Sequence, residues 1–309
     1  METQPVTYIA IDIASRTLSV RSGKIGFEEP NTAAGFAAIL RRTRKLEGRH
    51  FVFEATGGYE RELMLYLHDQ GETLSLVSAA RVRAFARSEG VKAKTDPIDA
   101  RMIERFAQEK RPEPTRAPSR EQRDLQSLGD RREQLSEQLK RERTRLPKCA
   151  DCVRASLQEV IGFLKERIAE LDRAIEELVG SEDAMRQAYE TLIAVKGFGP
   201  VTCWTIIAHL PEITSLDRAE VTALAGLAPF NRDSGKHEGP RSIFGGRGKV
   251  RRCLYMAALA AARFNDVIRS YVEGLQARGK HFKVAIVAAM RKMLVHAHAL
   301  LKKSKISLA

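Results

Sequence analysis

Four carboxylates in the first hundred residues have the types and spacing of a metal site. They are Asp12 in Tyr8-Ile-Ala-Ile-Asp-Ile13, Glu54 in Phe51-Val-Phe-Glu-Ala-Thr-Gly-Gly58, and Asp96 with Asp99 in Lys94-Thr-Asp-Pro-Ile-Asp99. Asp12 interrupts an apolar run and Glu54 closes one. Each charge would stand on, or at the end of, a buried strand, where an unpaired carboxylate is costly. A divalent cation would remove that cost. Mg²⁺ takes oxygen ligands and keeps several waters, Mn²⁺ can replace it, and two such ions about 4 Å apart hold the attacking and leaving oxygens of a phosphoryl transfer. Phosphodiester chemistry is the natural candidate. Asp96-Pro97 also reads as the start of a helix, with Asp99 facing the helix dipole. The two readings agree, because residues three apart share a helix face.

A second set of candidates lies in the last third. Leu192-Ile-Ala-Val-Lys-Gly-Phe-Gly-Pro-Val201 followed by an apolar helix resembles a helix-hairpin-helix, whose Lys196, Gly197 and Gly199 turn would offer N–H groups and a cation to a nucleic-acid phosphate. The stretch from Pro229 to Gly248 is rich in glycine, proline and serine and reads as a long loop, a feature usually tied to function. It carries Ser234 and Ser242 among His237, Lys236, Arg241 and Arg247, and Lys249, Arg251 and Arg252 follow it. A serine hydroxyl attacks phosphorus only if its proton is taken and the developing charge is stabilised, and the basic residues could meet the second need. Phe230, Phe244 and Phe282 are sparse, so this region reads as a phosphate-contacting surface rather than a base-stacking one.

The elements that must position these groups are legible in outline. Thr7 to Val20 reads as two strands around Ser15-Arg16, Asn31 to Lys45 as a helix, Phe51 to Phe53 and Leu74 to Val77 as strands, and Ala79 to Ser88 as a helix. Strands first, then alternation with helices, predicts a ribonuclease-H-like α/β layer. Prolines from Pro112 to Pro118 mark a boundary. Beyond it, Leu125, Leu128, Leu135 and Leu139 recur at heptad-like spacing until Pro147. Leu157, Ile161, Leu164, Ile168, Leu171, Ile175 and Leu178 then form an a/d seam. A coiled-coil arm is expected, as an antiparallel hairpin or a dimerisation element. Cys149 and Cys152 have no second metal-binding pair and read as incidental.

The chain has 309 residues, 43% of them hydrophobic, and a formal charge of +13, with an isoelectric point near 9.8. Disorder is not expected, and a polyanion partner is. The longest apolar stretch, around Cys253 to Ala262, is too short for a membrane span and no leader opens the chain, so a cytoplasmic protein without a membrane partner is expected. The Lys283 to Leu301 stretch reads as an amphipathic helix packed under the loop.

Taken together, Ile11-Asp12-Ile13, Glu54-Ala-Thr-Gly-Gly58 and Lys94-Thr-Asp-Pro-Ile-Asp-Ala-Arg101 resemble the RuvC-like DEDD motif of the IS one-ten family of insertion-sequence transposases, relatives of the Piv/MooV site-specific DNA invertases. Gly226-Leu-Ala-Pro, Asp233-Ser-Gly235 and Gly245-Gly-Arg247 are similar to that family's C-terminal domain. The resemblance implies an α/β plus α architecture: a RuvC-like domain over 1–112, a coiled-coil arm over 113–185, and a mainly helical transposase domain with helix-hairpin-helix over 186–309. It implies a DNA recombinase acting on donor and target DNA, guided by a structured RNA encoded beside the gene, and working near the nucleoid as homodimers and homotetramers. The match puts the nucleophile on Ser234, with Ser242 as fallback. Asp12, Glu54, Asp96 and Asp99 would hold Mg²⁺, and a phosphoserine link would form, the acids of one subunit meeting the serine of another. A metal-dependent junction nuclease, or a nucleic-acid binder without catalysis, is the alternative reading of the same residues.

Overall fold

Alternation in Thr7–Ile13 puts Ile9, Ile11 and Ile13 on one side of a strand and Tyr8, Ala10 and Asp12 on the other. The computed structural model follows that division. It describes residues 6–55, 57–90, 96–116, 118–230, 242–306 and 308, with backbone alone for 96–98 and 230. The chain forms two compact units, Met1–Ala117 and Pro118–Ala309.

The first unit contains β1 (Thr7–Ile13), β2 (Thr17–Ser22), β3 (Ile25–Pro30), α1 (Ala33–Thr43), β4 (Arg49–Glu54), α2 (Arg61–Asp69), β5 (Thr73–Val77), α3 (Ala79–Ser88) and α4 (Asp96–Lys110). Its sheet runs in the order β3-β2-β1-β4-β5, antiparallel from β1 to β3 and parallel from β1 through β4 to β5. One face packs Ile9, Ile11, Phe51 and Phe53 against Phe36 and Ile39 of α1 and Leu63 and Leu67 of α2. The other packs Ala10, Val52 and Val77 against Val82 and Phe85 of α3 and Ile103, Phe106 and Ala107 of α4. Neither β3 nor α2 stands out in the sequence: β3 is an edge strand with little burial, and α2 turns only Leu63 and Leu67 fully inward.

Residues 113 and 115 bond to β5 of this sheet. The Thr115 N–H donates to the Leu74 carbonyl at 2.7 Å, and the Ser75 hydroxyl donates to the Glu113 carbonyl at 2.6 Å while accepting from His50 Nε2 at 2.8 Å. Burial pushes the His50 pKa down, because desolvation disfavours the charged ring.

The second unit contains α5 (Arg120–Arg145), α6 (Asp151–Ser181), α7 (Asp183–Ile193), α8 (Pro200–His209), α9 (Arg218–Leu224), β6 (Pro229–Phe230), β7 (Ser242–Ile243), α10 (Gly248–Phe264), α11 (Asp266–Ala277) and α12 (Phe282–Lys303). A short turn joins α5 to α6, which pack as an antiparallel pair crossed by the Arg132–Asp172 ion pair. Ile161, Leu164 and Ile175 of the heptad run are buried. Gln122 Nε2 donates to the Ile207 and Ala208 carbonyls at 2.6 and 2.9 Å, tying the start of α5 to the end of α8. Cys149 and Cys152 are free thiols at the α5–α6 turn.

The longest apolar helix differs from the one expected. Among the described residues, α12 is long and apolar enough by composition to cross a membrane, and half of that stretch is buried within the protein. Ala285, Ile286, Ala289, Met290, Met293, Leu294 and Ala297 line its buried side, so it serves as a core helix of the second unit.

Candidate functional site

In the first unit the acids are placed by strand register. The last paired positions of β1 and β4 are Ile11 and Phe53, and Asp12 and Glu54 are the next residues on these two parallel strands. Ile11 and Phe53 face α1 and α2, so alternation turns Asp12 and Glu54 to the opposite face, beyond Ala10 and Val52. Both are half-buried.

Helix α4 runs antiparallel to β1. Its middle is anchored where Glu104 accepts hydrogen bonds from the Gly23 N–H and from Arg21 Nε, the latter at 3.2 Å, and its C-terminal extension reaches the start of β5. Its N-terminal turn therefore lies toward the ends of β1 and β4 that carry Asp12 and Glu54. Asp99, half-buried, stands one turn before Ile103 on the stripe that packs on Ala10 and Val52. Asp12 and Glu54 thus share the sheet face on which the helix carrying Asp99 packs. Asp96 begins α4, and its side chain lies outside the described residues.

Among the described residues no three Asp, Glu, His or Cys side chains come together closely enough to hold a metal ion. The donor set is all carboxylate, the chemistry that suits Mg²⁺ or Mn²⁺ rather than a softer ion.

In the second unit a turn over residues 194–199 joins α7 to α8. Gly197 has φ +109, and a Cβ there would sit 2.6 Å from Ala261 Cβ, so this glycine is needed for packing against α10 whatever the turn binds. Asn265 Nδ2 fixes the turn by donating to the Lys196 carbonyl at 3.1 Å. Gly199 caps α8 with extended backbone.

Ser234, Lys236, His237 and Arg241 lie outside the described residues; the base of their loop does not. Strands β6 and β7 pair Pro229 with Ile243. Gly226 and Gly246 both have positive φ, and a Cβ on Gly246 would run into the Gly226 backbone. The glycines of Gly226-Leu-Ala-Pro and Gly245-Gly-Arg247 are thus the two sides of one backbone-to-backbone contact. The Arg247 N–H donates to the Leu224 carbonyl at 2.8 Å. Its guanidinium binds Glu212 at 2.6 and 2.7 Å and the His209 carbonyl at 2.8 Å. Burial works to raise the Glu212 pKa, but the hydrogen bonds and charge of Arg247 outweigh it, and the carboxyl lies below its ordinary value.

The remaining basic candidates are also held within the protein. Lys249 pairs with Asp130, Arg252 with Glu133 at 2.8 Å, and Arg251 donates to the Gly245 carbonyl. Asp130 is likewise pulled down: desolvation opposes the shift, and hydrogen bonds from His209 and Lys249 exceed it. Ser242 lies in β7, half-buried. Sequence reasoning missed Glu212, Asp130 and Glu104. No local signal marks them, since each partner is far along the chain.

Residues 9–153 match the transposase model of the DEDD class named for IS110, and residues 189–273 match that of the Transposase IS116/IS110/IS902 family. The chain is similar to the pilin gene-inverting proteins of Moraxella lacunata and Moraxella bovis, at 26% identity over 97% of both chains. A stretch covering 44% of the chain is 28% identical to 37% of an uncharacterized 42 kDa protein of insertion element IS900 from Mycobacterium paratuberculosis.

Proposed function

Because the chain belongs to the IS110 family of transposases and site-specific recombinases, we propose that it exchanges DNA strands through Ser234 and a metal-binding set of Asp12, Glu54, Asp96 and Asp99. The register that makes Asp12 and Glu54 the next residues after the Ile11–Phe53 pair on neighbouring parallel strands supports this reading. The strand order and pairing support a ribonuclease-H-like, RuvC-like first domain.

Bound there, Mg²⁺ or Mn²⁺ would withdraw charge from the scissile phosphate. Asp12, Glu54, Asp96 and Asp99 would be the carboxylates that hold the ion. Ser234 Oγ forms a bond to phosphorus as the strand's own P–O bond breaks, the released strand end departs as a hydroxyl, and a phosphoserine link remains. Attack by the hydroxyl of a second strand reverses the step, so strands are exchanged without net hydrolysis. The glycine contact and the Arg247 clasp give the loop a fixed base for this work.

The relatives that invert a pilin gene support DNA recombination as the overall reaction. A guide RNA encoded by the element, a homodimer or homotetramer in which one subunit's acids meet another's serine, α5 and α6 as a coiled-coil arm over 113–185, and action on cytoplasmic, nucleoid DNA complete the proposal.

The test is a plasmid carrying the gene with its native flanks, amplified for excised circles and new junctions, wild type beside Ser234→Ala. Junctions are expected from the wild type alone. Junctions from both would exclude Ser234 as nucleophile, and free DNA ends without a protein adduct would favour a junction nuclease.

A further inference from the structure

A cleft of about 420 Å³ opens in the second unit where the α7–α8 turn, the α10–α11 corner and α12 meet. Its floor is apolar: Val195, Ile268 and Met293 are 5%, 5% and 3% exposed. Val267 on its wall is 66% exposed, and Phe264, two residues before the wall's Asp266, is 83% exposed. Around the opening stand the exposed cations Lys196 and Lys292 and the exposed imidazole of His296. The acid in the lining, Asp266, is engaged by Arg269 at 2.9 Å. The cleft is held in shape by the Asn265 bond to the Lys196 carbonyl and by Gly197 pressed on Ala261 and Met293.

We propose that this cleft seats one unpaired nucleotide of a single-stranded polynucleotide, its base against Val195, Val267 and Met293 and its phosphates on Lys196, Lys292 and His296. An apolar floor alone would accept any flat apolar group. The cations at its rim select one that carries negative charge, and a nucleotide joins the two. A duplex keeps its bases stacked inside and would leave the floor empty, which is why the single strand is the fitting form. DNA and RNA supply the same chemistry here. The proposal rests on the nucleic-acid reading of the chain, and on neither Ser234 nor the acidic residues.

The experiment uses the full-length protein carrying Ser234→Ala, so that no chemistry intervenes. Fluorescence anisotropy reads its binding to short labelled single-stranded DNA, single-stranded RNA and a DNA duplex. Val267→Asp and Lys292→Gln alter exposed positions, and an unchanged thermal midpoint shows that the fold is intact. Val267→Asp is expected to weaken single-strand binding about tenfold while leaving the duplex within about twofold. Lys292→Gln should weaken single-strand binding and lower its salt dependence. A loss confined to DNA assigns the cleft to the strand being exchanged; one confined to RNA assigns it to the guide. Unchanged single-strand affinity in both variants, or an equal loss on the duplex, overturns the proposal. Failure of the junction assay with wild-type protein would count against the serine chemistry and leave this result standing.

Discussion

The acids of the first unit and the serine loop of the second are positioned by different kinds of contact. Asp12 and Glu54 ride on strands whose register is set by ladders of hydrogen bonds and by apolar neighbours one residue away. The loop base is set by a pair of positive-φ glycines, one arginine–glutamate clasp and a two-residue strand pair. Regular structure spreads the work of positioning over many similar bonds, so a single change at the sheet leaves most of them in place. At the loop base a few unlike contacts each carry a large share, and one change can cost the shape itself.

The sharpest way to break this contrast is Gly246→Ala. The new methyl would meet the Gly226 backbone at a positive φ, which should cost about 2–4 kcal/mol at the loop base. Junction formation should fall at least about 100-fold, with proteolysis at 231–241 accelerated. Wild-type junction yield would mean that the loop does not depend on the glycine contact.

At the sheet, Asp12→Asn and Glu54→Gln should abolish junctions while leaving duplex binding and the metal-free melting temperature nearly unchanged. Saturating Mg²⁺ should stabilise the wild type by about 2–3 kcal/mol and neither variant, as linkage requires of an ion held by these groups. Melting curves with Mg²⁺ and with a chelator decide it. An equal Mg²⁺ shift in all three proteins would place the ion elsewhere.

A smaller effect separates the clasp from the glycines. Arg247→Lys loses the two-pronged grip on Glu212, for about 1–2 kcal/mol after discounting the pair's partial exposure. The folded Glu212 carboxyl lies below its ordinary 4.5, so the clasp contributes fully above that value and is lost as pH falls through the folded pKa. Glu212→Gln should therefore flatten the acid side of the stability profile, measured by denaturant unfolding from neutral pH downward. A profile unchanged by the substitution would show the clasp to be idle.

The least effect is expected from Lys249→Gln. Its ammonium is already paired with Asp130, so nucleic-acid affinity should fall less than about threefold. A drop of tenfold or more at unchanged stability would return Lys249 to the phosphate surface that its sequence position suggests.

Much of the first unit was legible because its information is local and periodic. Asp12 within an apolar run, and Asp99 three residues after Asp96 at a helix start, can be assigned faces without knowing any distant partner. The second unit was less legible for the same reason turned round. Lys249, Arg251, Arg252 and Arg247 form a basic run that reads as a phosphate surface, yet the fold gives each a partner within the protein. Opposite charges are common on any chain, and nothing in their spacing says which will meet.

What the sequence alone determined is the inventory of candidate groups: carboxylates in or at the end of apolar runs, a serine in a glycine-rich basic stretch, and an excess of positive charge. Residue type and short-range period settle such matters, since solvation and backbone geometry act on each residue where it stands. The tertiary structure decided which glycines touch, which arginine holds the loop base, and that the turn at Lys196 faces a cleft shared with α12. Those outcomes depend on approaches between segments far apart in the chain, and only the packing of complete helices and strands brings them within contact range.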